Sequence, residues 1–377
     1  MKARAPIGLP NPDLPEDEEG DEHPPRIDVS RRSLVGFGVF VLLALLALYF
    51  LLPQLAGLEE TWHRIEAGSP FWLGLALLFT FGMFVGYVLL FQGVFARTES
   101  RSLNWRESYQ ITMAGLAATR LFSAGGAGGI ALTAWALRRA GMPRRVVADK
   151  TISFLVLTYL VYTTGLVVVG FGLRFGVFPG DDPFTMTVVP ATLALVVTIL
   201  GLSIAFVPTD FERRLMSLAT RHGRVGRLAQ RLATVPATAS AGIRDALAHL
   251  RSRDPALLGA VVYWGCQIAV LWAAFKAFGE SPPIAVIVMA FFVGMLGNLL
   301  PLPGGIGGVD GGMIGAFAAF NVDTRLAIVA VLVYRGFTFW LPTIPGILAY
   351  IGLRKTVERW RTQRRAERRE ARAPAPA

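Results

Sequence analysis

Asn298-Leu299-Leu300-Pro301-Leu302-Pro303-Gly304-Gly305-Ile306-Gly307-Gly308-Val309-Asp310 lies in the middle of an apolar stretch that runs from Ile284 to Phe320. Proline and doubled glycine do not suit a continuous helix. The stretch is too long for one ordinary span and awkward for two. The same device occurs earlier, where Ala124-Gly125-Gly126-Ala127-Gly128-Gly129 breaks the stretch from Glu107 to Ala140. Gly304 lies 179 residues after Gly125. At that offset both motifs are followed by a helix of small residues, then a turn (Gly141-Met142-Pro143, Asn321-Val322-Asp323), then an apolar run. An apolar run also precedes each. The unit is therefore span, broken hairpin, span, and it occurs twice.

The rest of the chain places these units in a bilayer. It has 377 residues, 53% of them hydrophobic and 17% charged, with a mean hydropathy of +0.50. Soluble domains carry about 25% charged residues. Besides the broken stretches, apolar runs cover Leu34 to Leu52, Phe71 to Phe95, Val147 to Leu173, Met186 to Val207, Ala256 to Phe278 and Leu326 to Gly352. Each is long enough to cross a membrane. The first follows an acidic, Pro-rich segment (residues 1–33) that reads as disordered. That leader is too long and too acidic for a signal peptide, so the run reads as a span.

Arginine sets the threading, because cytoplasmic loops concentrate Lys and Arg. Arg97 to Arg106, Arg138 to Arg145, Pro208 to Pro255 and the tail from Arg354 should lie inside. The Asp181-Asp182 loop and Glu280-Ser281-Pro282-Pro283 should lie outside. Glu107 to Ala140 then enters and leaves from inside, and Ile284 to Phe320 from outside. The expected fold is all-α and integral to the membrane. It has about six full transmembrane helices plus two re-entrant helical hairpins of inverted orientation. The membrane domain covers 34–352, with inverted repeats at about 71–173 and 256–352, a cytoplasmic amphipathic segment at 208–255 and a basic cytoplasmic tail at 353–377. Both termini are expected in the cytoplasm. Within 208–255, Phe211, Leu215, Leu218, Val225, Leu228 and Leu232 recur at helical spacing among arginines. They predict an amphipathic helix over Phe211 to Val235, lying on the inner leaflet or docking a partner.

Several chemistries are disfavoured. Neither glycine motif carries the Gly-Lys-Ser/Thr ending of a P-loop, and no strand precedes either as a dinucleotide fingerprint requires. The one cysteine, Cys266, and the four histidines form no HExxH or CxxC arrangement, so no metal is expected. No nucleophile with a positioned base is visible. No enzyme activity, catalytic residue or cofactor is expected, and no nucleic-acid partner.

The residues with binding chemistry cluster at the breaks. A helix that starts after a glycine break offers free N–H groups, which suit a phosphate. The candidates are Gly125, Gly126, Gly128 and Gly129 at the first break and Gly304, Gly305, Gly307 and Gly308 at the second. Ionisable groups at membrane depth are costly and point to function. Arg120 precedes the first break, Asp310 follows the second and Arg335 lies inside the last span. The arginines either pair with Asp310 or freed carbonyls, or hold an anionic headgroup bidentately. Asp149 and Lys150, at the inner end of the third span, are secondary candidates.

Three blocks resemble the transmembrane family of lysylphosphatidylglycerol synthases: Arg120 to Gly129 with Leu137-Arg138-Arg139-Ala140-Gly141 and Asp149-Lys150; Asn298 to Asp310; and Tyr334-Arg335-Gly336-Phe337-Thr338-Phe339-Trp340-Leu341-Pro342. The resemblance covers roughly Phe71 to Gly352. It implies a protein of the bacterial plasma (inner) membrane that flips or moves lipids. Fused members add a soluble aminoacyl-transferase. Here only a short basic stretch follows Gly352, so lipid aminoacylation is not implied. Family members usually carry Glu at the position of Asp310. The substrate is left open among a phospholipid, an aminoacyl-phospholipid and a polyprenyl-phosphate sugar. The expected partners are membrane lipids, with a separate synthase, soluble or membrane-bound, left open. The alternatives to a flippase are a non-transporting scaffold that docks a soluble partner and a membrane enzyme acting on a lipid-linked sugar.

Overall fold

A computed structural model describes residues 68–95, 103–121, 127–206, 224–299 and 305–372. The expected span Leu34 to Leu52 and the acidic leader lie outside the described residues. The helices are α1 (Pro70–Phe95), α2 (Trp105–Leu121), α3 (Ala127–Arg139), α4 (Arg144–Arg174), α5 (Phe184–Ser203), α6 (Arg224–Arg251), α7 (Ala256–Phe278), α8 (Ile284–Met295), α9 (Gly308–Ala319), α10 (Thr324–Arg335) and α11 (Thr343–Arg372). A 3-10 turn (Leu296–Leu299) continues α8, and a π turn (Gly336–Trp340) continues α10. No strand occurs among the described residues.

Proline starts many of these helices. Pro143, Pro183, Pro255 and Pro283 immediately precede α4, α5, α7 and α8. A first-turn N–H has no intrahelical acceptor, so its loss there is cheap. Helix α10 starts instead on Asp323, whose carboxylate accepts from the Leu326 N–H at 2.7 Å.

Five described helical stretches are long and apolar enough to cross a membrane: Pro70–Phe95, Arg144–Arg174, Phe184–Phe206, Ala256–Phe278 and Thr324–Gln363. The protein is thus an all-α membrane protein. Helix α9 has 12 residues, about 18 Å of rise, and α8 has 12 plus its four-residue 3-10 turn, about 26 Å, against a hydrocarbon core of about 30 Å. They form a hairpin that reaches only part of the way. Helices α2 (17 residues) and α3 (13 residues) make the corresponding hairpin in the first unit.

Helices α1 and α7 show how the two units are related. Ser69 N–H donates to Ala277 O at one end of the pair, Gly82 meets Cys266 near the middle, and Gly86 meets Gly259 and Gly93 meets Ala256 toward the other end. The helices that open the two repeats are therefore antiparallel along their whole length, and the units are inverted. A Cβ on Gly86 would lie 2.8 Å from Gly259 O, and one on Gly259 would lie 2.5 Å from Leu90 N. Small residues thus let the two backbones touch.

The repeat extends to local detail. Helix α3 ends with Gly141 N–H bonded to Arg138 O and Met142 N–H to Leu137 O. Helix α9 ends with Asn321 N–H bonded to Ala318 O and Val322 N–H to Phe317 O. Gly141 and Asn321 both have positive φ, as this type of helix end requires. Each hairpin also has its own core. Leu90, Ile111, Leu137 and Leu157 pack around the first, and Phe275, Phe291, Phe317 and Tyr334 around the second.

The loops separate as the charges do. Asp181 accepts from Asn321 Nδ2 at 2.8 Å, joining two Arg-poor loops on one face. On the other face, Lys150 of α4 pairs with Asp245 of α6 at 2.9 Å, and Trp360 of α11 donates to Glu107 of α2. Two boundaries differ from expectation. The amphipathic segment is helical over Arg224–Arg251, with Gly242 against the Asp149 carbonyl of α4, while residues 211–223 lie outside the described residues. The last span does not stop near Gly352 but continues as one helix to Arg372, because Ala, Arg, Glu and Gln in the tail are good helix formers.

Candidate functional site

The second break is built from backbone upward. Gly305 and Gly307 have φ of +66° and +81°, a region that costs other residues roughly 1–2 kcal/mol. A Cβ on Gly305 would also strike the Asn298 carboxamide. A Cβ on Gly297 would strike the Gly308 carbonyl, and one on Gly294 would lie 2.7 Å from Met313 N. Glycine is therefore required both in the break and where α8 crosses α9. Gly304 lies outside the described residues.

Asp310 sits in the first turn of α9. One carboxylate oxygen accepts from the Gly307 N–H at 2.9 Å, and the other meets Arg335 Nε at 2.6 Å. The negative charge lies at the positive end of the helix, where it is favoured. Arg335 ends α10, and its guanidinium lies 4.7 Å from the centre of the Phe339 ring in the π turn. The side chains are 11% (Arg335) and 21% (Asp310) exposed. Arg335 is eleven residues beyond the start of α10, about 17 Å along the helix axis. By helix length alone the pair falls near half of a hydrocarbon core of about 30 Å. Of the two roles foreseen for Arg335, pairing with Asp310 is the one the geometry displays.

At the first break, Gly125 and Gly126 and the side chain of Arg120 lie outside the described residues. Gly128 is half-buried in the first turn of α3. A Cβ on Gly129 would strike the Thr119 hydroxyl and lie 2.5 Å from Gly115 O. Gly115 and Gly129 stand 179 residues before Gly294 and Gly308, so the two hairpins close on equivalent glycines.

Beside this crossing is a cavity of about 80 Å³ lined by Thr112, Thr119, Thr133, Thr151, Tyr87 and Phe154, among others. It has room for a few waters. Thr112, Thr119 and Thr151 each donate to the carbonyl four residues before them and keep acceptor lone pairs. These threonines do not stand out in the sequence, because a hydroxyl in an apolar run can always satisfy itself on its own helix. A signal was nonetheless present. Their counterparts 179 residues later are Phe291, Asn298, Gly312 and Ala330, so the hydroxyl set belongs to the first unit alone.

Asp149 and Lys150 do not join the breaks. Lys150 bonds both oxygens of Asp245, at 2.9 and 3.1 Å, and fastens α6 to α4.

Residues 34–346 match the family described as "Lysylphosphatidylglycerol synthase TM region". The chain belongs to this family. Both breaks of the lysylphosphatidylglycerol synthase TM region, its Asp310–Arg335 pair and helices α1 to α10 fall inside the match, whereas most of α11 lies beyond it. Two relatives in Methanothermobacter thermautotrophicus, each called a UPF0104 membrane protein, are 34% identical over 89 residues and 31% identical over 116 residues. These stretches cover 23% and 29% of the present chain. A UPF0104 membrane protein of Methanocaldococcus jannaschii is 27% identical over 94 residues, 25% of this chain. The matched stretches span 25%, 35% and 28% of those three relatives, respectively.

Proposed function

We propose that the protein is a lipid flippase, or lipid transporter, that moves an anionic or phosphate-containing lipid between leaflets. Membership of a lipid-related membrane family supports a role with lipid. The observation that carries the finer reading is the Asp310–Arg335 pair near half depth, at the break of one of two inverted units. Inverted repeats with broken helices are a common transporter architecture, with the substrate site at mid-membrane.

In this reading the pair is an exchangeable lock. A headgroup phosphate offers Arg335 a bidentate anion in place of a single carboxylate oxygen. Asp310 keeps its bond to the Gly307 N–H, so the exchange does not leave the carboxylate without a partner. The acyl chains stay in lipid while the headgroup occupies the second break. Releasing Arg335 from Asp310 uncouples α9 from the end of α10, which lets the break open to one face or the other. No bond-making step is proposed. Asp310, the carboxylate best placed for one, is already engaged by Gly307 and Arg335. The Arg-rich face is taken as cytoplasmic, in a bacterial inner membrane.

Lipid movement in proteoliposomes tests this. Fluorescent phosphatidylglycerol, lysyl-phosphatidylglycerol and a polyprenyl phosphate are supplied in turn to wild type and to Arg335→Ala. One of them should cross faster than in empty vesicles, and the variant should lose at least about tenfold of that rate, equivalent to about 1.4 kcal/mol. No lipid movement by folded wild-type protein would sink the reading and favour a docking scaffold.

A further inference from the structure

A separate feature lies on the Arg-rich face, between the start of α2 and the middle of α11. It is a cleft of about 640 Å³, in the size range of small-ligand sites. Arg106, Lys355 and Arg359 line it, with Glu358 as the one carboxylate of the lining. Arg106 and Lys355 make no ion pair among the described residues. Three cations against one carboxylate leave the lining net positive, which attracts an anion.

The floor of the cleft is rigid. Gln110 is only 7% exposed, and its carboxamide oxygen accepts from the Thr356 hydroxyl at 2.8 Å. The carboxamide nitrogen donates no hydrogen bond among the described residues and stays reachable from the cleft. A Cβ on Gly352 would lie 2.9 Å from that nitrogen, so glycine makes room for it. Trp360 donates to Glu107 at 3.0 Å and so joins the two walls, while Arg359 donates to Thr356 at 3.0 Å within α11. The Gln110 nitrogen, open to the cleft, adds a donor to the three cations of the lining, a set that suits an acceptor-rich anion.

The route into the cleft identifies the ligand. Ile344, Ile347, Leu348 and Ile351 are exposed along α11 and lead by helical steps of three and four to Lys355. Trp105, also exposed, adjoins Arg106 in the chain, and tryptophan is enriched at membrane interfaces. Apolar contacts deeper in the membrane and cations at headgroup level describe a phospholipid. We propose that this cleft holds the phosphate headgroup of an anionic lipid on the Arg-rich face, with its acyl chains along Ile344, Ile347, Leu348 and Ile351. The site does not depend on transport, and its α11 wall lies outside the family-matched residues.

Native mass spectrometry of the full-length protein in neutral detergent, with added phosphatidylglycerol or phosphatidylcholine, reads this directly. One phosphatidylglycerol should stay bound per chain in preference to phosphatidylcholine. Arg106→Gln with Lys355→Gln should weaken binding about tenfold or more, and Glu358→Gln should tighten it. Arg354→Gln with Arg361→Gln removes the same charge from exposed positions outside the cleft and should leave binding unchanged. All these positions are exposed, so folding should be preserved. Equal loss in both arginine–lysine and arginine–arginine pairs, or loss in neither, would overturn the proposal. So would glycerol 3-phosphate binding as tightly as the lipid, since the acyl contacts would then contribute nothing.

Discussion

Arg335 is surrounded by groups that match its chemistry. A carboxylate lies at one edge and the face of Phe339 lies 4.7 Å from its guanidinium. Removing the guanidinium leaves Asp310 mostly buried with only its bond to Gly307. We therefore expect Arg335→Ala to lose about 2–3 kcal/mol of stability and Asp310→Asn about 1–2 kcal/mol. The double variant should lose less than the sum by about 1 kcal/mol. Chemical unfolding in detergent of the four proteins measures this cycle, and strict additivity would mean that the pair is not coupled. At this scale the sequence was readable where charge is conspicuous. Asp310 and Arg335 stand out in apolar surroundings, and pairing was one of two roles foreseen. Gln110 and the threonines did not stand out, since an uncharged polar group costs little until its surroundings are known. Lys150 pairs with Asp245, 95 residues away, a partner that no local spacing identifies.

Among the elements, the α1–α7 pair is sensitive to added volume. Gly86→Leu or Gly259→Leu would drive side chains into backbone that cannot move aside. A cost of about 3 kcal/mol or more is expected, above the usual range for overpacking. Gly74, on α1 with nothing within 4 Å of its Cβ position, is the internal control. Gly74→Ala should be neutral or stabilise by up to about 1 kcal/mol. Thermal unfolding in one detergent decides whether the contrast holds. The hairpins themselves were legible, because proline and doubled glycine in an apolar run leave few alternatives. Their helices were less so. The 3-10 end of α8 and the π turn after Arg335 arise from how neighbouring helices pack, and no residue there announces them. The continuation of α11 to Arg372 follows from helix propensity, which the expectation of a tail had set aside in favour of charge.

For the whole molecule, the arginine pattern and the antiparallel α1–α7 pair agree on one threading. Cys266 is the single cysteine, so Cys266→Ser gives a clean background for topology. Glu280→Cys and Arg361→Cys, both at exposed positions, should react with a membrane-impermeant maleimide from opposite faces, with Arg361→Cys reached only from the cytoplasm. Labelling of both from one side would break the inverted arrangement. The depth of Arg335 also has an electrical meaning. An anion bound there has crossed about half of the membrane field, whichever face it came from. With a full crossing worth about 2.3 kcal/mol per 100 mV, each half-journey carries roughly 1.2 kcal/mol per 100 mV for a single charge. The resting potential of a cell would favour one half-journey of an anionic headgroup and oppose none of a zwitterion's, so voltage alone would sort the two kinds of lipid at this arginine.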